Sequence, residues 1–111
     1  MFSARILGSD EYLDLSKGAQ CLYIQLCLSA DDDGMVNNVK KVMRICEATA
    51  EEHRELIETG FILPVIGSIE CITHWHIHNS IPKDRYTKST VDWKYFLELE
   101  DGVYKIKERR I

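Results

Sequence analysis

Apolar residues recur along this chain with two different periods. From Ser16 to about Ala30, "SKGAQCLYIQLCLSA", Ala19, Leu22, Tyr23, Leu26 and Ala30 fall at i, i+3, i+4, i+7 and i+11. That is one face of a helix. Ile24 and Leu28 lie on another face, so the helix is expected to be central and covered on two sides. Ser16 is its expected N-cap, and Ser9 caps a shorter helix over "DEYLDL" with Tyr12, Leu13 and Leu15 turned inward. Farther on, Val39, Val42, Met43 and Cys46 repeat the helical spacing, with Asn37 or Asn38 as cap, and Lys40, Lys41 and Arg44 fall on the opposite side. Three residues, "EAT", lead to "TAEE", where Thr49 and Glu52 have the spacing of a capping box. His53, Leu56 and Ile57 form the inner face of this helix, and Gly60 ends it.

After Gly60 the period drops to two. "FILPV" and "SIECITHWHI" flank "IGS" and predict a hairpin turning at Ile66, Gly67 and Ser68, with Pro64 on an edge strand. "MV" at residues 35–36 reads as a very short strand. Two short helices on a tight turn form a helix-turn-helix. Helix, short strand, two helices and hairpin together give the element order of a winged helix. The expected fold class is therefore α+β: a helix-turn-helix followed by a β-hairpin wing, with an extra short N-terminal helix. The expected division is a winged-helix domain over 1–88 and a C-terminal extension over 89–111. In the extension Ser89, Trp93, Phe96 and Leu97 favour a helix ending near Glu98, then an extended, basic tail. Trp93, Tyr95, Leu97 and Leu99 also alternate before Asp101-Gly102, which keeps a hairpin open.

Composition narrows the function classes. The 111 residues carry a formal charge of −4 and are 45% hydrophobic, normal for one globular domain without a global basic field. No stretch has the apolar length of a membrane span or the opening of a signal peptide, and a cytoplasmic protein is expected. Cys21, Cys27, Cys46 and Cys71 form no C-x-x-C pair and read as reduced core thiols. "SADDDGMVNN" has the odd-position oxygen residues of a calcium loop, but its twelfth position is Lys40, so it reads as a solvated turn. No P-loop and no nucleophile motif is present, so no catalysis and no cofactor is expected.

The histidines of "HWHIHNSIPKDRY" invite a metal reading. On a strand His74, His76 and His78 would share one outward face with Glu70 and Ile72, while Cys71, Thr73, Trp75 and Ile77 faced the core. His74 and His78 would then stand roughly 13 Å apart, too far for one ion with bonds of about 2 Å. The expectation is no metal site, and a strand face that is solvated, packed, or in contact with DNA or protein.

The segments "MFSARIL", "SDEYLDL", "AQCLYIQLCLSADDDGMVNN", "TGFILPV" and "HWHIHNSIPKDRYTKST" are carried in an order and spacing that resembles the N-terminal domain of phage replisome organiser proteins from Gram-positive hosts, relatives of the DnaD primosome proteins. The likeness runs over most of residues 1–90. Lys88 stands where the family often has a proline after its KDRY segment. The resemblance implies a winged-helix domain that binds origin DNA and helps load the replicative helicase. It also implies a second domain in longer relatives, so that this chain is expected to be a domain or a truncated prophage product.

Charge does not point one way. From Glu47 to Gly60 five glutamates oppose Arg54 on the helix that usually enters the major groove, and phosphates would be repelled there. Lys40, Lys41, Arg44, His76, His78, Lys83, Arg85 and Lys88 are therefore the candidate DNA contacts, and Lys105, Lys107, Arg109 and Arg110 make a further basic set. Each set also suits a plain solvated face. Two functions follow. One is a DNA-binding module in phage replication initiation. The other is a self-association module, or one that docks a helicase or helicase loader, without DNA contact.

Overall fold

The structure, a computed structural model, describes residues 2–79, 84–89 and 92–107. It is a small α+β domain. Helices α1 (Ala4–Leu7), α2 (Asp10–Leu13) and α3 (Lys17–Ser29) lead to strand β1 (Met35–Val36), helices α4 (Val39–Ile45) and α5 (Ala50–Glu58), and strands β2 (Ile62–Ile66) and β3 (Ile69–Ile72). A single helical turn, α6 (Trp75–His78), a 3-10 turn (Trp93–Tyr95) and the hairpin β4 (Leu97–Glu100) and β5 (Val103–Ile106) follow.

Local chemistry starts and stops the helices where the sequence indicates. The hydroxyls of Ser3, Ser9 and Ser16 accept from Arg5, Tyr12 and Ala19 N–H at the N-termini of α1, α2 and α3. Thr49 and Glu52 form the full capping box of α5. Gly60, at φ 82°, closes α5, with its own N–H on Ile57 O and Phe61 N–H on Leu56 O. The end of α4 is built the same way without glycine. Glu47 takes φ 53°, while Glu47 and Ala48 N–H donate to Arg44 and Met43 O.

β3 lies between its neighbours in the antiparallel order β1-β3-β2, which leaves β2, with Pro64, at an edge. The hairpin turns through Gly67 and Ser68, and a bulge falls between Pro64 and Ile66. Ala19, Leu22, Tyr23 and Leu26 of α3 are fully buried against Val42, Leu56, Phe61, Ile62 and Ile72. The same core takes in Leu97 and Tyr104 of the C-terminal hairpin, so that hairpin completes the core of the preceding elements.

Several expectations are corrected. Leu13 and Leu28 are exposed rather than inward, and Cys27 occupies the second buried flank of α3. Residues favoured as a C-terminal helix form the β4–β5 hairpin instead, turning at Asp101-Gly102, both at positive φ. The histidine stretch is not a strand. β3 ends at Ile72, opposite the first residue of β2, and past that point the bond to a strand is that of Thr73 O, which accepts from Tyr104 N–H of β5 at 2.9 Å, so the ladder does not continue. Thr73 instead bonds back to the end of α5, its N–H on Phe61 O and its hydroxyl on Gly60 O, and the chain coils into α6. Trp75 is buried as expected, with its indole N–H on Asp32 O at 3.0 Å. Glu70, expected outward, is buried against α5, where His53 Nε2 lies 2.8 Å from both its carboxylate oxygens.

Candidate nucleic-acid interface

Burial of Val39 and Val42 fixes the rotation of α4, and Lys40, Lys41 and Arg44 are thereby left exposed. Among the described residues none of the three makes an ion pair. Lys40 and Arg44 border a surface groove of about 450 Å³ with Met43, Glu47 and Ala48. A row of cations over an apolar floor can take phosphates along its rim.

The glutamates of the neighbouring helix differ in what they do. Of its four glutamates two are committed within the fold. Glu52 accepts from Thr49 N–H at 2.8 Å in the capping box, and its carboxyl fills the space beside Gly18 where a Cβ would stand. Glu55 accepts from Ser16 N–H at 2.8 Å and Ser16 Oγ at 2.7 Å, which ties the start of α3 to α5. Glu51, Arg54 and Glu58 form the exposed charges of α5. A charge count does not show these structural roles. The capping-box spacing signals the structural role of Glu52, though its charge remains; nothing local signals that of Glu55.

The histidines are placed inside. Ser3 N–H donates to His78 Nδ1 at 2.9 Å, which leaves Nε2 to donate to the Tyr23 hydroxyl at 2.7 Å. His78 is buried, so it does not face a ligand as expected, and burial, with His74 adding to it, holds its pKa down at about 4. His76 Nε2 lies 2.9 Å from the Tyr104 hydroxyl, which donates to Asp33 O at 2.7 Å, so this ring also faces inward. Burial lowers the pKa of His76 and, with Arg5 nearby, of His74. His76 and His78 thus serve separate parts of the fold, and among the described residues no group of three or more His, Cys, Asp or Glu is placed to hold a metal ion.

The remaining candidates follow α6. Arg85 and Lys88 are exposed; Lys83 lies outside the described residues. The segment carrying Arg85 and Lys88 is tied to the turn after α3, which is the reverse of a solvated turn. Asp33 is 3% exposed and takes the Tyr86 hydroxyl on both oxygens, at 2.6 and 2.8 Å, and Ser89 N–H at 2.8 Å. Asp32 accepts from Thr87 N–H, and Asp31 from Asp33 N–H, Met35 N–H and Ser89 Oγ. Of the further basic set, Lys105 pairs with Glu100 and Lys107 donates to Lys94 O, while Arg109 and Arg110 lie outside the described residues. The cysteines are free thiols: Cys27 and Cys71 are buried, Cys46 half-buried, and Cys21 is exposed rather than in the core. Burial pushes the Cys27 thiol up to about 12, which leaves it unreactive.

Among the described residues no helix is long and apolar enough to cross a membrane. Compared with known proteins, the chain matches no family model, no curated protein and no solved structure.

Proposed function

We propose that this domain is a winged helix that binds DNA as part of a phage or prophage replication-initiation protein, and that it acts by binding rather than by catalysis. The element order α3-β1-α4-α5-β2-β3, with β3 between β1 and β2, supports the winged-helix assignment. The resemblance of "AQCLYIQLCLSADDDGMVNN" and the KDRY segment to replisome organisers supports the place in replication. The observation that carries DNA contact is the exposed row of Lys40, Lys41 and Arg44, unpaired among the described residues. In this reading α4 and the Arg85–Lys88 segment meet phosphates, and α5 contributes Arg54 while its two exposed glutamates limit its approach.

One observation favours the second reading. The turn of the β2–β3 hairpin is Gly67-Ser68 beside exposed Ile66, with no cation to meet a phosphate. A wing tip without charge suits a protein surface, either a second copy or a helicase or its loader. Binding of short duplex and single-stranded DNA across a salt series, alongside sedimentation of the free protein, separates the two. Duplex affinity that falls steeply with salt supports the DNA reading. A dimer or larger species with no DNA affinity at low salt supports the protein-interaction reading.

A further inference from the structure

The run Asp31–Asp33 is out of place beside a surface proposed to meet phosphates. In charge terms alone, three consecutive carboxylates weaken DNA binding. Their hydrogen bonds point to another role. The segment Arg85–Ser89 is attached to the fold through these aspartates by four donors on three residues: the Tyr86 hydroxyl, shared between both Asp33 oxygens, Thr87 N–H, and the N–H and hydroxyl of Ser89. The Tyr86 hydroxyl stays protonated as the donor, because its hydrogen bond to Asp33 and partial burial raise its pKa to about 12. Arg85 and Lys88, interleaved with these bonded residues, make no ion pair among the described residues and remain exposed. Thr87, Lys88 and Ser89 share a cleft of about 390 Å³ with Asp31, Asp32 and Asn37, the last of which leads directly into α4. The aspartates thus bring a basic segment from late in the chain to the start of the helix that carries Lys40 and Lys41.

We propose that Asp33, assisted by Asp31 and Asp32, is a positioning residue for DNA binding: it fixes the Arg85–Ser89 strap so that Arg85 and Lys88 form a second phosphate-contact patch continuous with the one on α4. A strap held in place loses little freedom when phosphates arrive, so its two contacts add to affinity instead of being offset by ordering. The inference rests on the DNA-binding reading, and it makes a prediction opposite to simple charge. Asp33→Asn removes a negative charge, which by itself tightens binding, yet here it weakens it.

The test measures duplex binding across a salt series for wild type, Asp33→Asn, Tyr86→Phe, the Arg85→Ala/Lys88→Ala double variant, and the double variant carrying Asp33→Asn. Two phosphate contacts at about 0.9 each in the slope of log affinity against log salt amount to about 1.8. Asp33→Asn and Tyr86→Phe are each expected to weaken binding and lower the slope by up to that amount, with no further loss when Asp33→Asn is added to the double variant. Trypsin should also cut after Arg85 and Lys88 faster in both single variants. Tyr86→Phe changes no charge and decides the matter if Asp33→Asn does not fold. Single variants that bind as tightly as wild type at an unchanged slope overturn the proposal, as does an Asp33 effect that persists in full in the double variant. Wild-type protein without salt-dependent duplex binding removes the DNA reading and the proposal with it. Binding that is lost on neutralising Lys40, Lys41 and Arg44 but is indifferent to the strap removes the proposal alone.

Discussion

Acidification should unlatch the N-terminus of this domain through His78. The ring bridges Ser3 N–H and the Tyr23 hydroxyl in its neutral form, and protonation would put a second donor against the Ser3 donor. Its folded pKa of about 4 lies below the ordinary 6.5, so between those values the unfolded chain binds a proton that the folded one refuses. Stability from this group is therefore fully present above pH 6.5 and is lost as pH falls through about 4. At about 1.4 kcal/mol per pH unit, the interval corresponds to about 3 kcal/mol. His78→Gln removes the titration while keeping a polar side chain. At pH 7 it should cost roughly 1–3 kcal/mol for the disturbed buried hydrogen bonds. Urea unfolding followed by tryptophan fluorescence at pH 7, 6, 5 and 4 gives both stability curves. Wild type should lose about 3 kcal/mol more than the variant over that range, so that the two converge or cross near pH 4. Parallel curves would refute the assignment of His78 as a neutral, buried bridge.

Trp75→Ala should cost about 3–5 kcal/mol in urea unfolding, since the ring is buried and its N–H is bonded to Asp32 O; a loss under about 1 kcal/mol would mean that the ring is not a core residue. Gly34 sits at φ 86° with Trp75 Cγ only 2.6 Å from where a Cβ would stand, so Gly34→Ala should destabilise the protein, and by less when Trp75 is already alanine. Glu47→Gly relieves a left-handed residue at the end of α4 and should stabilise by about 0.5–1 kcal/mol in thermal melting, while no gain would place the motif elsewhere.

The helix ends and turns were legible because their chemistry is local. Ser9, Ser16, the Thr49–Glu52 pair and Gly60 each act within a few residues of themselves, whereas Asp101-Gly102 signalled the hairpin that the favoured C-terminal helix passed over. What failed depended on distant partners. "HWHIH" alternates like a strand, but β2 begins at Ile62, opposite Ile72, so its ladder with β3 stops before the first histidine. "DDDG" has the composition of a solvated turn, but Tyr86, Thr87 and Ser89, more than 50 positions away, together with Trp75 and Tyr104, bond to it, and Asp33 and Gly34 are buried. Of the candidate site, the exposure of Lys40, Lys41 and Arg44 followed from helical periodicity alone. The inward turn of His76 and His78 followed from Tyr104 and Tyr23, which no spacing rule connects to them.

DNA binding by this domain depends most directly on the cations of α4 if the proposed function holds. Duplex binding should be measured across a salt series for wild type, for Lys40→Ala/Lys41→Ala/Arg44→Ala, and for Glu51→Lys/Glu58→Lys, whose glutamates are exposed whereas Glu55 holds Ser16. The triple variant should bind more weakly, with a slope reduced by up to about 2.7 for three lost phosphate contacts, and the reversal should bind as tightly as wild type or more so. A triple variant that keeps the wild-type affinity and slope, or a wild-type protein that assembles with itself yet binds no duplex at low salt, would contradict the account.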